Sequence, residues 1–250
     1  MKVIISPAKK MNMETDLFPV KGLPGFMEKT ERLKERIREL SLQEAKALWK
    51  CSDRLAELNF KRFQEMELER NLTPAILSYE GLQYQHMAPR AMTDAALQYL
   101  EAHLRILSGF YGILGPFDGV VPYRLEMQAR LSVDGAADLY GFWGDGLYRS
   151  VLDEERVLIN LASREYALAV ERYLCPEDRM ITVQFAECSG GKLRQKGTSA
   201  KMARGEMVRF MAENQIMDPE DMKNFRALGF SFREDVSDEQ CLVFVKEQGS

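Results

Sequence analysis

Met1-Lys-Val-Ile-Ile-Ser-Pro-Ala-Lys-Lys10 is the stretch on which the fold turns. Val3, Ile4 and Ile5 form an apolar, β-branched run that reads as a buried strand, and Pro7 stops it because proline cannot donate to a ladder. Ala8-Lys9-Lys10 is then a polar loop at the strand's carboxyl end, where open α/β sheets commonly place ligands. Two lysines directly after a buried strand can reach a cleft as phosphate contacts, or one can serve as an activated lysine. On these residues alone, an exposed strand end is the simpler reading.

Working outward, short strand signals alternate with helical ones. Residues 27–40 carry Leu33, Ile37 and Leu40 on one stripe of a charged helix. Ser41-Leu-Gln-Glu44 fits a capping box opening a helix through Trp49. A third helix is read over 52–66, and Ala75 to Tyr79 reads as a strand. Thr93 caps a helix in which Leu97, Leu100, Leu104 and Leu107 recur at helical spacing, with Gly109 as its left-handed stop. Arg124, Glu126, Gln128 and Arg130 alternate with Leu125, Met127, Ala129 and Leu131, the pattern of a half-buried strand. Residues 138–152 look helical in parts, interrupted by glycines. Val157–Ala162 reads as a strand and Ser163 as the cap of a helix over 164–173. Ile181–Phe185 reads as a strand whose hairpin partner is 193–196, and Thr198 or Ser199 caps a helix through Asn214. Phe230–Arg233 and Leu242–Val245 close the series as paired strands. The mixture predicts an α+β fold: one domain over 1–250, with a mixed sheet and surrounding helices.

Charge separates the function classes. The 250 residues carry a formal net charge of −4, yet Lys192, Arg194, Lys196, Lys201, Arg204 and Arg209 cluster, opposed only by Glu206. Arg194 and Lys196 lie two apart on a strand, and Lys201 and Arg204 lie three apart on the first turns of a helix, so each pair shares a face. Cations at a helix start are unfavourable unless something negative binds there, and phosphate suits such a place. The competing reading is a solvated face paired with acids from elsewhere. Arg124, Glu126 and Arg130 form a cation–carboxylate–cation row, either a structural network or a phosphate-binding or catalytic wall. Gly109 and Gly112 faintly resemble the hairpin of helix-hairpin-helix units, whose backbone meets DNA phosphates without reading sequence.

Other chemistries lack their signatures. Cys51, Cys175, Cys188 and Cys241 form no CxxC pair, and His86 and His103 stand apart, so no metal site and no cofactor is expected. Phosphate-loop, dinucleotide-binding, zinc-protease and serine-hydrolase motifs are all missing. No apolar run approaches the ~20 residues of a membrane span, and the apolar stretch near Met1 is too short for a secretion signal, so a cytoplasmic location is expected.

Taken in order, Ser6-Pro-Ala-Lys, Leu107-Ser-Gly-Phe-Tyr-Gly-Ile-Leu, Pro116-Phe-Asp, Pro122-Tyr-Arg-Leu-Glu-Met, Phe142-Trp-Gly-Asp, Val157-Leu-Ile-Asn-Leu-Ala-Ser, Glu165-Tyr166 and Ala200-Lys-Met-Ala-Arg-Gly resemble the peroxide stress resistance protein YaaA family over essentially the whole chain. The resemblance implies a cantaloupe-like fold with a helix-hairpin-helix-like element and a basic cleft. It implies binding of double-stranded or branched DNA irrespective of sequence, and protection against hydrogen peroxide and iron-driven damage. The site residues carried over by match are Lys9, Arg124, Arg130, Lys201 and Arg204. Lys10, Arg194 and Lys196 are added from the charge pattern, and Ser6, Lys9 and Glu126 as a catalytic or structural network. Gly115 and Met202 stand where relatives often carry basic residues, which thins the cationic surface here. Three readings remain open: a non-enzymatic DNA-binding protein, which is favoured, an enzyme on a nucleotide or other phosphate- or carboxylate-bearing small molecule, and a cysteine-based redox module.

Overall fold

The computed structural model describes residues 1–13 and 18–247. Its strands are β1 (Lys2–Ile5), β2 (Lys10–Met11), β3 (Thr73–Pro74), β4 (Tyr79–Glu80), β5 (Leu104–Ser108), β6 (Gly112–Leu114) and β7 (Gly119–Val120). They continue with β8 (Val157–Asn160), β9 (Arg179–Ser189), β10 (Lys192–Arg194), β11 (Arg226–Ala227), β12 (Phe230–Phe232) and β13 (Cys241–Glu247). The helices are α1 (Met27–Arg38), α2 (Leu42–Trp49), α3 (Asp53–Glu65), α4 (Ala75–Ser78) and α5 (Leu82–Met87). After them come α6 (Asp94–His103), α7 (Leu139–Trp143), α8 (Gly146–Val151), α9 (Arg164–Glu171) and α10 (Gly197–Glu213).

Nine strands form one mixed sheet in the order β11-β12-β13-β9-β8-β1-β5-β6, with β10 paired to β9. The pairs β13/β9, β9/β8, β8/β1 and β1/β5 are parallel, and the edges are antiparallel. Strands of a parallel centre are covered on both faces, so they need continuous rather than alternating apolar runs. Val3, Ile4 and Ile5 meet that demand and are buried, with Val3 opposite Leu104 on one side and Ile159 on the other. The expected α+β fold with a mixed sheet is therefore the one observed, including the β9–β10 and β12–β13 hairpins. The Ser41–Glu44 capping box also forms.

Four local expectations are corrected. First, the helix at Thr93 ends at His103, and Leu104 and Leu107 belong to β5. Pairing of Leu104–Ile106 with β1 outweighs the helical spacing of the leucines. Consequently Gly109-x-x-Gly112 is the turn of the β5–β6 hairpin, not a hairpin between helices. Gly112 takes φ +75 there, whereas Gly109 keeps an ordinary φ and is needed for closeness: a Cβ on it would lie 2.5 Å from the Leu125 carbonyl oxygen. Second, residues 124–131 pair with no strand. This segment packs over Gly109 and turns at Met127–Gln128, with the Ala129 N–H donating to the Glu126 carbonyl at 3.0 Å. Its apolar set is buried as expected, but Glu126 is buried too, at 9% exposure.

Third, Ala75–Ser78 is a single helical turn, and only Tyr79 and Glu80 are extended. Fourth, α10 starts at Gly197 with Lys196 as its cap, so Thr198 and Ser199 lie inside it. The Ser199 hydroxyl donates instead to Glu187 at 2.5 Å.

Helices α5 and α10 touch at Gly205, where a Cβ would come within 2.1 Å of the Gln83 carbonyl oxygen. Gly205→Ala is expected to destabilise the protein by about 1–3 kcal/mol through overpacking. Gly197→Ala, which meets nothing within 4 Å, is expected to be neutral or slightly stabilising. Urea unfolding of both variants checks the contrast.

Candidate functional site

Chain order turns around β1. The chain goes from β1 to β5 on one side and returns to β8 on the other. Such a reversal leaves a crevice beyond the carboxyl ends of the two strands, because the connections on either side diverge. Ser6 after β1 and Ser163 after β8 stitch its base together. The Ser163 N–H donates to Ser6 Oγ at 2.8 Å, and Ser6 Oγ donates to Ser163 Oγ at 3.2 Å. Tyr84 of α5 donates to the Ser6 carbonyl at 3.0 Å, fixing the loop from above.

A cleft of about 410 Å³ opens over this stitch, lined by Ser6, Lys9, Lys10, Arg124, Glu126, Lys201 and Arg204 among others. Seven of the residues picked out in the sequence, from three separate segments, thus share one cavity. Glu126 Oε1 is the hub of the charges: Lys9 Nζ lies 3.1 Å from it and an Arg124 guanidinium nitrogen 3.2 Å from it. The same Arg124 nitrogen reaches the Trp49 carbonyl at the end of α2, at 3.5 Å. Lys10 pairs with Glu80. Lys201 and Arg204 have no carboxylate partner among the described residues.

Arg130 lies outside this cleft, in an adjoining groove that shares Lys9 and Glu126 with it. Arg194 and Lys196 line neither cavity. Lys196 is held by the buried Glu187 at 2.5 Å and Arg194 is exposed on β10. Lys201 and Arg204 are the fifth and eighth residues of α10, past the free N–H groups of its first turn. The expected anion site at the helix start is therefore not built. Gly109 and Gly112 serve the hairpin beneath the cleft.

Several lining residues were not named as site residues from sequence. Ser163, Glu165 and Tyr166 follow β8, and Gln83 and Tyr84 lie on α5. The β8 group had a usable signal, since the rule that directed attention past β1 applies equally to its parallel neighbour. Gln83 had none: it sits in a six-residue helix whose backbone packs closely against α10 at Gly205.

Electrostatics distinguish these groups. Burial raises Glu165 above the ordinary glutamate range, and the like charge of Glu126 adds to it, while the Gln128 N–H and Lys9 oppose. Burial pulls Arg204 below the usual arginine value. Burial also raises Tyr84 and Tyr166 and pushes Tyr123 up to about 12, so these phenols remain neutral donors at physiological pH. Three lining residues hold buried N–H groups without an acceptor among the described residues: Gln83 at Nε2, Arg124 at Nε and Arg204 at Nε. Orphaned buried donors are costly and rare, and here they gather around one cavity. The arrangement suits a compact anion rich in acceptor oxygens. No group of three or more metal-ligating side chains occurs among the described residues, and no helix there is long and apolar enough to cross a membrane.

The family model described as peroxide stress protein YaaA matches residues 1–236. The chain belongs to this family. It is 53% identical over 248 residues to a UPF0246 protein of Agathobacter rectalis, covering 99% of both chains. A UPF0246 protein of Lactiplantibacillus plantarum is 51% identical over 245 residues, covering 98% of this chain and 99% of its own. One of Pediococcus pentosaceus is 48% identical over 248 residues, covering 99% of both. These matches take in every segment that lines the cleft.

Because the folded-state value of Glu165 stands above its unfolded value, folding disfavours the ionised form. The stability this group contributes is full below the ordinary glutamate range and is lost as pH rises through the raised value. Glu165→Gln keeps the acceptor for the Gln128 N–H. It is expected to raise the melting temperature near neutral pH, with the gain fading below the ordinary glutamate range. Thermal melts of both proteins across pH check this.

Proposed function

We propose that this chain is a DNA-binding peroxide-stress protein of the cytoplasm. In this reading its cleft holds phosphates of double-stranded or branched DNA without regard to base sequence, and its role is to limit hydrogen-peroxide and iron-driven damage. The observation that carries the reading is the convergence of Lys9, Lys10, Arg124, Lys201 and Arg204 on one cleft of a protein whose net charge is −4. Like charges repel, so gathering them costs stability that an anionic partner returns. Lys201 and Arg204, lacking carboxylate partners among the described residues, are the groups free to meet phosphate at once, whereas Lys9 and Lys10 must first leave Glu126 and Glu80. The acidic remainder of the surface keeps the duplex from settling elsewhere. The cleft residues are ordinary donors to phosphate oxygens and read no base edge in this role, which fits sequence-independent binding.

Binding is expected to weaken as salt rises, with a slope of about −2 to −4 in log K against log salt for two to four neutralised phosphates. Arg204→Gln is expected to weaken binding about tenfold and Lys201→Gln about threefold, since a charged hydrogen bond away from water outweighs an exposed ion pair. Fluorescence anisotropy with labelled duplex and four-way-junction DNA measures both. Salt-independent affinity, or unchanged affinity in both variants, would sink the proposal.

A second reading, an enzyme acting on a nucleotide or other phosphate- or carboxylate-bearing small molecule, has one specific observation in its favour. Glu165, raised by burial, and Glu126, paired with two cations, line the same cleft. A carboxyl raised by burial, sharing one cavity with a second, ion-paired carboxylate, is an arrangement that acid–base chemistry uses. Chromatography of nucleotides after incubation with wild type and Glu165→Gln decides it: product made by the former and not the latter supports catalysis, and no product from either removes it.

A further inference from the structure

The cleft does not close at Lys9. A groove of about 650 Å³ begins there, and Lys9 and Glu126 line both cavities. Arg130 and Lys50 stand on its rim, both exposed, and no carboxylate pairs with either among the described residues. Arg36 also lines it, already engaged by Glu39 at 3.1 Å and by the Ser132 carbonyl. The lining also carries the apolar Leu40, Leu48, Ala129 and Leu131, alongside Glu44, Gln128 and Ser132. Trp49, also in the lining, is 1% exposed, and its indole N–H has no acceptor among the described residues.

Three features oppose an anion in this groove, and each already has partners within the protein; Glu126 has Lys9 and Arg124. Glu44 is held by the N–H and hydroxyl of Ser41, at 2.8 and 2.7 Å, as part of the α2 capping box. The Trp49 carbonyl at the end of α2, which carries partial negative charge, is covered by Arg124.

We infer that cleft and groove are one track for a single-stranded segment of nucleic acid, with a second phosphate subsite at Arg130 and Lys50 and a seat for an unstacked base on the groove's apolar residues. The inference rests on the DNA-binding reading and deepens it. Across the two cavities stand eight cations, Lys9, Lys10, Arg36, Lys50, Arg124, Arg130, Lys201 and Arg204, against four carboxylates, those of Glu44, Glu80, Glu126 and Glu165.

A duplex presents phosphates to such a surface but keeps its base faces stacked, so it has nothing to lay on apolar side chains. An unpaired strand exposes both, and proteins that bind it combine a cationic track with apolar or aromatic contact to the bases. The divider between the cavities is suited to passage. Lys9 is 66% exposed at its side chain, whereas Glu126 and Arg124 are each only 11% exposed and stay paired. Lys9 can therefore swing onto a phosphate crossing the divider without leaving Glu126 uncompensated.

The test is a length series: thymidine monophosphate, then oligothymidylates of two, four and eight nucleotides, titrated against the wild-type protein and the double variant Arg130→Gln/Lys50→Gln. Both substituted residues are exposed, and unchanged melting temperature confirms the fold. The wild type is expected to bind the four-nucleotide strand about tenfold or more tighter than the monophosphate, as a second phosphate is neutralised on the same track. In the double variant most of that gain is lost, while monophosphate affinity stays within about twofold. A duplex of eight pairs is expected to compete less well than the eight-nucleotide strand. Absence of the length step, or its persistence in the double variant, overturns the inference. If duplex and junction DNA still bind in either case, the DNA-binding reading survives alone; if no nucleic acid binds, both fall.

Discussion

Everything at the site depends on β1 having parallel neighbours on both sides while its connections leave in opposite directions. A parallel strand buried on two faces leaves no room for polar groups along its length, so they are displaced to its end. There the backbone must find new partners or face water. Ser6 and Ser163 solve this locally by bonding the two diverging chains to each other. What they cannot do is fill the space above them, because β5 and β8 lead away to either side. The cleft is in that sense a consequence of strand order, and its lining is whatever the next residues of each segment supply.

Those residues supply charge under unequal constraint. Arg124 and Glu126 form a nearly buried pair, which is expensive to desolvate but more expensive to break, so it acts as a fixed scaffold. Lys9 and Lys10 are exposed ion-paired lysines with little energy tying them down. Arg204 is the opposite case, largely shielded from water and lacking a carboxylate partner among the described residues. A guanidinium stays protonated under such conditions where a lysine would not. The site thus grades from fixed through mobile to unsatisfied cations.

The sequence disclosed this unevenly, for reasons visible in particular residues. Val3–Ile5 announced a buried strand because a short apolar run before proline has few other uses, and the cleft opens past its carboxyl end. The Ser41–Glu44 box was legible because capping is local chemistry. Leu104 misled because leucine at helical spacing also satisfies a buried strand, and only pairing with β1 decides between them. Glu126 misled in another way: strict alternation marked its face as polar and open, but Gly109 draws the segment inward and buries it. Arg194 and Lys196 stood out as part of a sequence cluster, yet Glu187, seven or more residues earlier on the paired strand, neutralises Lys196. Pairs formed across a hairpin are invisible to a count of local charge.

Charge alone does not account for the cleft, and the uncharged donors show why. A surface that merely attracts DNA from a distance needs its cations solvated, because long-range potential is insensitive to where each N–H points. Gln83 adds nothing to that potential. It is 6% exposed, yet among the described residues its amide nitrogen lacks an acceptor, in the same cavity where Arg124 and Arg204 each hold an unpaired Nε. Burying such donors weakens the free protein and is repaid only by an acceptor that enters the cavity. The Gly205 contact holds the Gln83 backbone close against α10. In the proposed reading the cleft meets a ligand's oxygen atoms at close contact, and the surrounding lysines bring that ligand to it.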